Sequence, residues 1–178
     1  MMNEPLAIGQ KLPHFSLKGV DNNIHSVELY REYKLFLVVF GCNHCPYVQA
    51  YEERIKHIQE KYRDGMQVVN INSNDSIKYP EDSFSNMQKR ATENSFNFPY
   101  LHDETQEIAK SFGATHTPEF FLFDQDRILV YHGKLDDNWK DASSAANFYL
   151  VDAINETLDG KKVSIPETFS IGCTIKWK

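Results

Sequence analysis

The sequence predicts an α/β fold in which helices flank a central mixed β-sheet, with an N-terminal β-hairpin and an insertion helix added to it. Three observations carry this reading. Leu35 to Phe40 is an unbroken apolar run of six, the length and composition of a strand buried on both faces. Val48, Tyr51, Ile55, Ile58 and Tyr62 then recur at offsets of three and four, which places them along one face of a helix. Residues 66–71 read as a second strand reached by a helical crossover, so 35–71 forms a βαβ unit with parallel strands.

The other elements follow in order. Residues 15–20 and 23–27 form short strand-like runs around Asp21-Asn22-Asn23, whose side chains suit a tight turn, and predict the hairpin. Gly65 is expected to cap the first helix. Residues 79–82 lead into a helix over 83–94, with Phe84, Met87 and Ala91 on one side, and a short strand follows at 99–101. Asp103 with Gln106 predicts a capping box for a helix that ends at Gly113. Residues 120–123 and 128–131 flank Asp124-Gln125-Asp126-Arg127 as a second hairpin, and a last helix carries Leu150, Ile154 and Leu158 before Gly160. Residues 1–160 read as one domain and 161–178 as a C-terminal tail packed on it. In that tail Ile171, Cys173, Ile175 and Trp177 alternate as a short strand would.

Composition excludes several classes of function. At 178 residues and 41% hydrophobic, the chain can bury one substantial core. A net charge of -6 with scattered Lys and Arg offers no basic stripe for nucleic acid. The N-terminus lacks the basic and apolar regions of a secretory signal, and no stretch is apolar enough to span a bilayer, so the expectation is a cytoplasmic protein without a membrane partner. Three cysteines in such a compartment cannot build a disulfide framework; any disulfide here should be a working one.

The motif Phe40-Gly41-Cys42-Asn43-His44-Cys45-Pro46 places two thiols where a buried strand meets an amphipathic helix. Unpaired N–H groups and the helix dipole stabilise a thiolate there, and the thiolate is the nucleophile of disulfide exchange. The spacing lets one sulfur resolve a mixed disulfide formed on the other. Zinc needs about four ligands, and His44, His102, His116 and Cys173 could be gathered only by folding, so neither a metal nor a cofactor is expected. Pro46 suits the first helical position and disfavours helical geometry in the residue before it, which points to Cys45 as the helix cap.

The order of hairpin, strand, Cys-x-x-Cys and helix, with Thr117-Pro118 before a later strand, resembles the thioredoxin superfamily. Tyr79-Pro80-Glu81-Asp82-Ser83, the run from Thr117-Pro118-Glu119 to Asp124, Leu135-Asp136-Asp137, and Gly172-Cys173-Thr174-Ile175-Lys176-Trp177 narrow the resemblance. Together they are similar to peroxiredoxin-like redoxin proteins of the AhpC/TSA class that carry a Cys-x-x-Cys motif. This implies a thioredoxin-like fold and a thiol-disulfide oxidoreductase acting through Cys42 and Cys45, with Cys42 nominated as the attacking sulfur and Cys45 as the resolving one, and with Asn43, His44, Pro46, Thr117 and Pro118 around them. Its partners would be thiol or disulfide proteins, or small thiols, with a thioredoxin- or glutathione-type reductant. Pro118 would be a cis-proline facing the pair, and Thr117 would offer backbone groups to a substrate chain. The residues alone read Thr117-Pro118 as a trans strand entry, because cis occurs in only about 5–6% of X-Pro bonds.

Two alternatives stay open. Peroxiredoxins carry Thr-x-x-Cys-Pro, with the cysteine attacking peroxide, and here Cys42 takes the threonine's place and Cys45 the cysteine's. Pro118 then falls where those enzymes carry an activating arginine, and Arg127, the remaining candidate, reads as a solvated charge after a turn. A copper metallochaperone is the second, since soft thiolates take Cu(I), although that family's usual spacing is Cys-x-x-x-Cys-Pro. His44, as an imidazolium, would favour a thiolate and make the couple more oxidising than thioredoxin. No base is evident for the resolving thiol: Glu119 and Glu53 are candidates that default to surface charges. Cys173 is either an additional resolving thiol or a packing residue.

Overall fold

The computed structural model describes residues 4–178. Its main sheet has seven strands in the order β2-β1-β5-β4-β3-β7-β8: β1 (Ser16–Gly19), β2 (Ile24–Ser26), β3 (Leu35–Phe40), β4 (Met66–Asn72), β5 (Tyr100–His102), β7 (Glu119–Phe123) and β8 (Leu129–Gly133). The helices are α1 (Pro46–Tyr62), α2 (Phe84–Glu93), α3 (Glu107–Phe112) and α4 (Tyr149–Leu158). Strands β3, β4 and β5 run parallel and the outer pairings are antiparallel, which makes the sheet mixed. Two further short strands, β6 (His116–Thr117) and β9 (Cys173–Thr174), pair antiparallel with each other.

The apolar run at β3 is central because both of its faces are covered. Leu35, Leu37 and Val39 join Ile55, Ile58, Phe120, Leu122 and Ile154 in one core, while Phe36, Val38 and Phe40 join Phe112, Phe121 and Phe123 in another. Alternation along a strand sends successive side chains to opposite faces, and here helices meet both. The predicted face of α1 is the buried one, with Tyr62 partly buried at its end. On α2 only Met87 of the predicted trio is fully buried.

Two caps differ from expectation. Gly65 does not cap α1, which ends at Tyr62 with Arg63 in right-handed geometry. The Asp103–Gln106 capping box does not form, because Gln106 is left-handed (φ 66°) and its amide donates to the carbonyls of Ser73 and Lys176. Asp103 still caps the helix, accepting from Ile108 N–H at 3.3 Å and Ala109 N–H at 2.9 Å. Gln106 turned away because two carbonyls outside its own helix needed a donor in the interior. Strands β5 and β8 each run one or two residues beyond the residues read from sequence.

Candidate active site

The site lies where β3 ends and α1 begins. Gly41 lets the chain leave the strand beside Asn70, since a Cβ there would sit 2.5 Å from the Asn70 Oδ1. Cys45 is extended (φ -75°, ψ 121°) and occupies the N-cap, with Pro46 opening the helix. That conformation is what a residue preceding proline adopts. Asn43 holds the loop between the cysteines: its N–H donates to Asp82 Oδ1 at 2.6 Å, its amide to the Glu81 carbonyl, and its Oδ1 accepts from Tyr100 O–H at 2.8 Å.

Thr117-Pro118 is cis, against the reading from residues alone and in agreement with the resemblance. It packs the Thr117 carbonyl 3.3 Å from Cys45 Sγ, and Thr117 Oγ1 3.6 Å from Cys42 Sγ. The chain returns at β9, where Cys173 pairs with Thr117 and sets its Sγ 2.9 Å from that of Cys45. Cys42, Cys45 and Cys173 are all free thiols. Cys42 is 2% exposed and Cys45 0%, whereas Cys173 is half-buried.

The three sulfurs differ in acidity. As a thiol Cys45 donates to the Thr117 carbonyl and to Cys173 Sγ; as a thiolate it is stabilised first by the neighbouring Cys42 thiol and then by Cys173 and the Val48 N–H, which hold it well below its ordinary value. Burial opposes that shift and loses. Cys42 is pushed far up by its bond to Cys45, by burial, and by the charge of Asp82. Cys173 is raised by burial and by Cys45. Of the three sulfurs the cap sulfur is therefore the one that most favours a negative charge, where the N-terminus of α1 faces it.

Asp82 enters the sequence reading only within Tyr79-Pro80-Glu81-Asp82-Ser83, with no role assigned to it. It is fully buried, and it accepts from Asn43 N–H, from Asn72 Nδ2 at 3.3 Å and from Asn74 Nδ2 at 2.8 Å. His44 Nδ1 lies 2.5 Å from Asp82 Oδ2, and its ring stacks on Tyr79. The signal that could have found it is the run of polar residues ending β4: Asn70, Asn72, Ser73, Asn74 and Asp75 are all buried, and buried amides require partners.

Other candidates fall differently. Glu119 is not a surface charge: at 2% exposure it accepts from Thr115 N–H, His116 N–H and His132 Nε2, so it fixes the loop leading into Thr117. Glu53 is at the surface, beside Lys56. Arg127 is half-buried rather than solvated, and donates to the carbonyls of Asp124, Tyr30 and Tyr33 at the opposite end of β3. Of the other arginines, Arg54 pairs with Asp136, Arg90 with Glu52, Arg31 with Glu32 and Arg63 with Glu60. Among the described residues the group able to hold a metal ion is Cys42, His44 and Asp82, not the His44, His102, His116 and Cys173 set raised from sequence. A cation there would compete with the amides already bonded to Asp82.

The Redoxin family model matches residues 7–149. The chain belongs to the redoxin family. Two solved structures match this redoxin over almost their full lengths. An uncharacterized conserved protein from Geobacillus kaustophilus is 39% identical, with 97% of this chain and 93% of that one covered and a TM-score of 0.91. A hypothetical protein from Sinorhizobium meliloti is 34% identical, with 98% and 97% covered and a TM-score of 0.92. The thioredoxin domain of a thiol-disulfide oxidoreductase from Bacteroides vulgatus shares the thioredoxin-like fold at 16% identity, with 71% and 88% covered and a TM-score of 0.60. No curated protein matches the chain. No helix of this redoxin is long and apolar enough to cross a membrane.

Proposed function

We propose that this redoxin is a thiol-disulfide oxidoreductase that cycles Cys42 and Cys45 between a dithiol and a disulfide. The observation that carries it is the buried pair of thiols where β3 meets α1, with Cys45 on the N-cap 3.3 Å from the Thr117 carbonyl and Cys42 3.6 Å from the Thr117 hydroxyl. In the reducing direction the dithiol gives two electrons and two protons to a substrate disulfide, which leaves as two thiols, and a Cys42–Cys45 bond remains. Thiol or disulfide proteins and small thiols are the substrates, with a thioredoxin- or glutathione-type reductant closing the cycle, in a compartment reducing enough to keep other thiols free.

One observation favours a second reading, thiol peroxidase. Cys45 precedes Pro46 with Cys42 in the threonine's place of Thr-x-x-Cys-Pro, and the Cys42 thiol is the largest influence holding Cys45 below its ordinary value, as the threonine would act on an attacking cysteine. Against it, each of the five arginines is engaged with a carboxylate or carbonyl away from the sulfurs, leaving no guanidinium to polarise a peroxide. The test uses Cys173→Ser protein in a glutathione redox buffer, with thiol counting and peptide mapping. The expected result is a Cys42–Cys45 disulfide formed reversibly. A protein that keeps both thiols at every buffer ratio, yet gives sulfenic acid at Cys45 with peroxide, would replace exchange by the peroxidase reading.

A further inference from the structure

Exchange at Cys42 and Cys45 meets an obstacle of access. Cys42 is 2% exposed and Cys45 fully buried, so neither sulfur is presented to an external thiol. Nor can an incoming extended chain pair with Thr117, because β9 already does, with Cys173 opposite Thr117 and the Ile175 N–H bonded to the Thr115 carbonyl at 2.9 Å. Gly172 makes this pairing close: a Cβ there would lie 2.0 Å from the Thr117 carbonyl oxygen. The strand is held beyond the site too, since Asn74 Oδ1 accepts from Lys176 N–H and the Asp75 N–H donates to the Lys176 carbonyl.

We infer that Cys173 is a third redox cysteine, and that Cys42, Cys45 and Cys173 form a relay in which Cys45 is the central sulfur and Cys173 the one that meets external thiols. The inference deepens the exchange reading and rests on it. It is motivated by the 2.9 Å separation of Cys45 and Cys173 Sγ, by the exposure of Cys173 alone among the three, and by the paired strand that holds it there.

The chemistry balances in two stages. From the Cys42–Cys45 disulfide, the Cys173 thiolate attacks Cys45 Sγ; the Cys45–Cys173 bond forms, the Cys42–Cys45 bond breaks, and Cys42 leaves with the electron pair and takes up the proton that Cys173 gave up. No net oxidation occurs. A thiol reductant then attacks the more exposed Cys173 Sγ as its thiolate, and Cys45 departs as a thiolate, the better leaving group being the more acidic thiol. A second equivalent of reductant cleaves the mixed disulfide on Cys173, returning the protein to three thiols and leaving the reductant oxidised to its disulfide. Run backwards, the same stages oxidise the protein at the expense of an external disulfide.

The test combines two variants with the wild type in a glutathione buffer, acid-quenched and mapped by mass spectrometry. Partly oxidised wild-type protein is expected to yield both Cys42–Cys45 and Cys45–Cys173 peptides, and Cys42→Ser protein to form Cys45–Cys173. Oxidised Cys173→Ser protein is expected to be reduced by glutathione about tenfold more slowly than wild type, because attack must await opening of the site. Two free thiols in Cys42→Ser under conditions that oxidise Cys173→Ser, or wild-type reduction rates in Cys173→Ser, would overturn the relay and leave the exchange reading standing. No disulfide in Cys173→Ser once the buffer has reached equilibrium would overturn both, so the two failures are distinct. The wild-type peptide map needs no variant to fold.

Discussion

At the scale of single residues, Cys42 is raised by Cys45, by burial and then by the charge of Asp82, a carboxylate 40 positions away in the chain that does not touch its sulfur as a hydrogen-bond partner. Asp82 is fully buried, and the donors aimed at it come from the loop between the cysteines and from the polar end of β4. This changes the role of His44. Its ring nitrogen sits against Asp82, so a positive charge on it would be offset there, and the acidity of Cys45 is accounted for by neighbouring thiols and the helix N-terminus instead. Two substitutions separate charge from structure. Asp82→Asn keeps an oxygen acceptor and removes the charge that helps to raise Cys42; the Cys42 titration, followed by carbon NMR of labelled cysteine Cβ in reduced protein, is expected to move to lower pH. Asp82→Ala strands buried amide donors and should cost about 2–4 kcal/mol in urea unfolding. An unchanged Cys42 titration in the Asn variant would remove Asp82 from the electrostatics of the site.

At the scale of elements, β9 is the piece that closes the site, and Gly172 is the residue on which its position turns. In Gly172→Ala the added carbon would fall 2.0 Å from the Thr117 oxygen and 2.7 Å from its carbonyl carbon, both backbone atoms that cannot rotate aside. The expected outcome is a β9 displaced from β6, a stability loss of about 1–3 kcal/mol by urea unfolding, and much faster alkylation of Cys173. Alkylation at the wild-type rate would show that β9 tolerates the carbon. How legible these elements were follows from where their signals lie. Strand β3 and the buried face of α1 are written in local periodicity, and the Cys45 cap in the adjacent Pro46, so a single window of sequence suffices for each. The tail shows alternation at Ile171, Cys173, Ile175 and Trp177, but its partner is Thr117, 56 positions upstream of Cys173, and no local pattern names a partner that distant. The Asp103–Gln106 box misled for the same reason: the motif is local, and the carbonyls of Ser73 and Lys176 that drew Gln106 away are not. Glu119 and Asp82 carry charges that composition places on the surface. Their burial rests on donors supplied by other elements.

At the scale of the whole molecule, the cores above and below β3 leave its C-terminal end as the place where unlike sulfurs can be held together, and their unequal acidities become a property of folding itself. Unfolding returns every thiol to its ordinary value of 9.0. For Cys45 the folded value is lower, so between that value and 9.0 the unfolded chain binds more protons and stability rises with pH; this contribution is complete above 9.0 and is lost as pH falls through the folded value. Cys42 and Cys173 act in the opposite sense. Their folded values lie above 9.0, Cys173 at about 11, so their contribution is complete below 9.0 and is lost as pH rises through the folded values. The reduced protein should therefore gain stability from acid toward 9.0 and lose it beyond, with a slope of at most about 1.4 kcal/mol per pH unit for each thiol titrating differently in the two states. Bonding Cys45 to either partner removes two of the three titrations, so the oxidised protein should lack Cys45's share of the rising limb and keep the part that half-buried His102, whose value lies below its ordinary one, contributes around 6.5 and below. Urea unfolding of the reduced and oxidised forms across this range measures the difference directly, and it needs no substitution that could disturb the packing around β3. Parallel pH profiles for the two forms would mean that the thiolate charge is not held at the end of α1 at all.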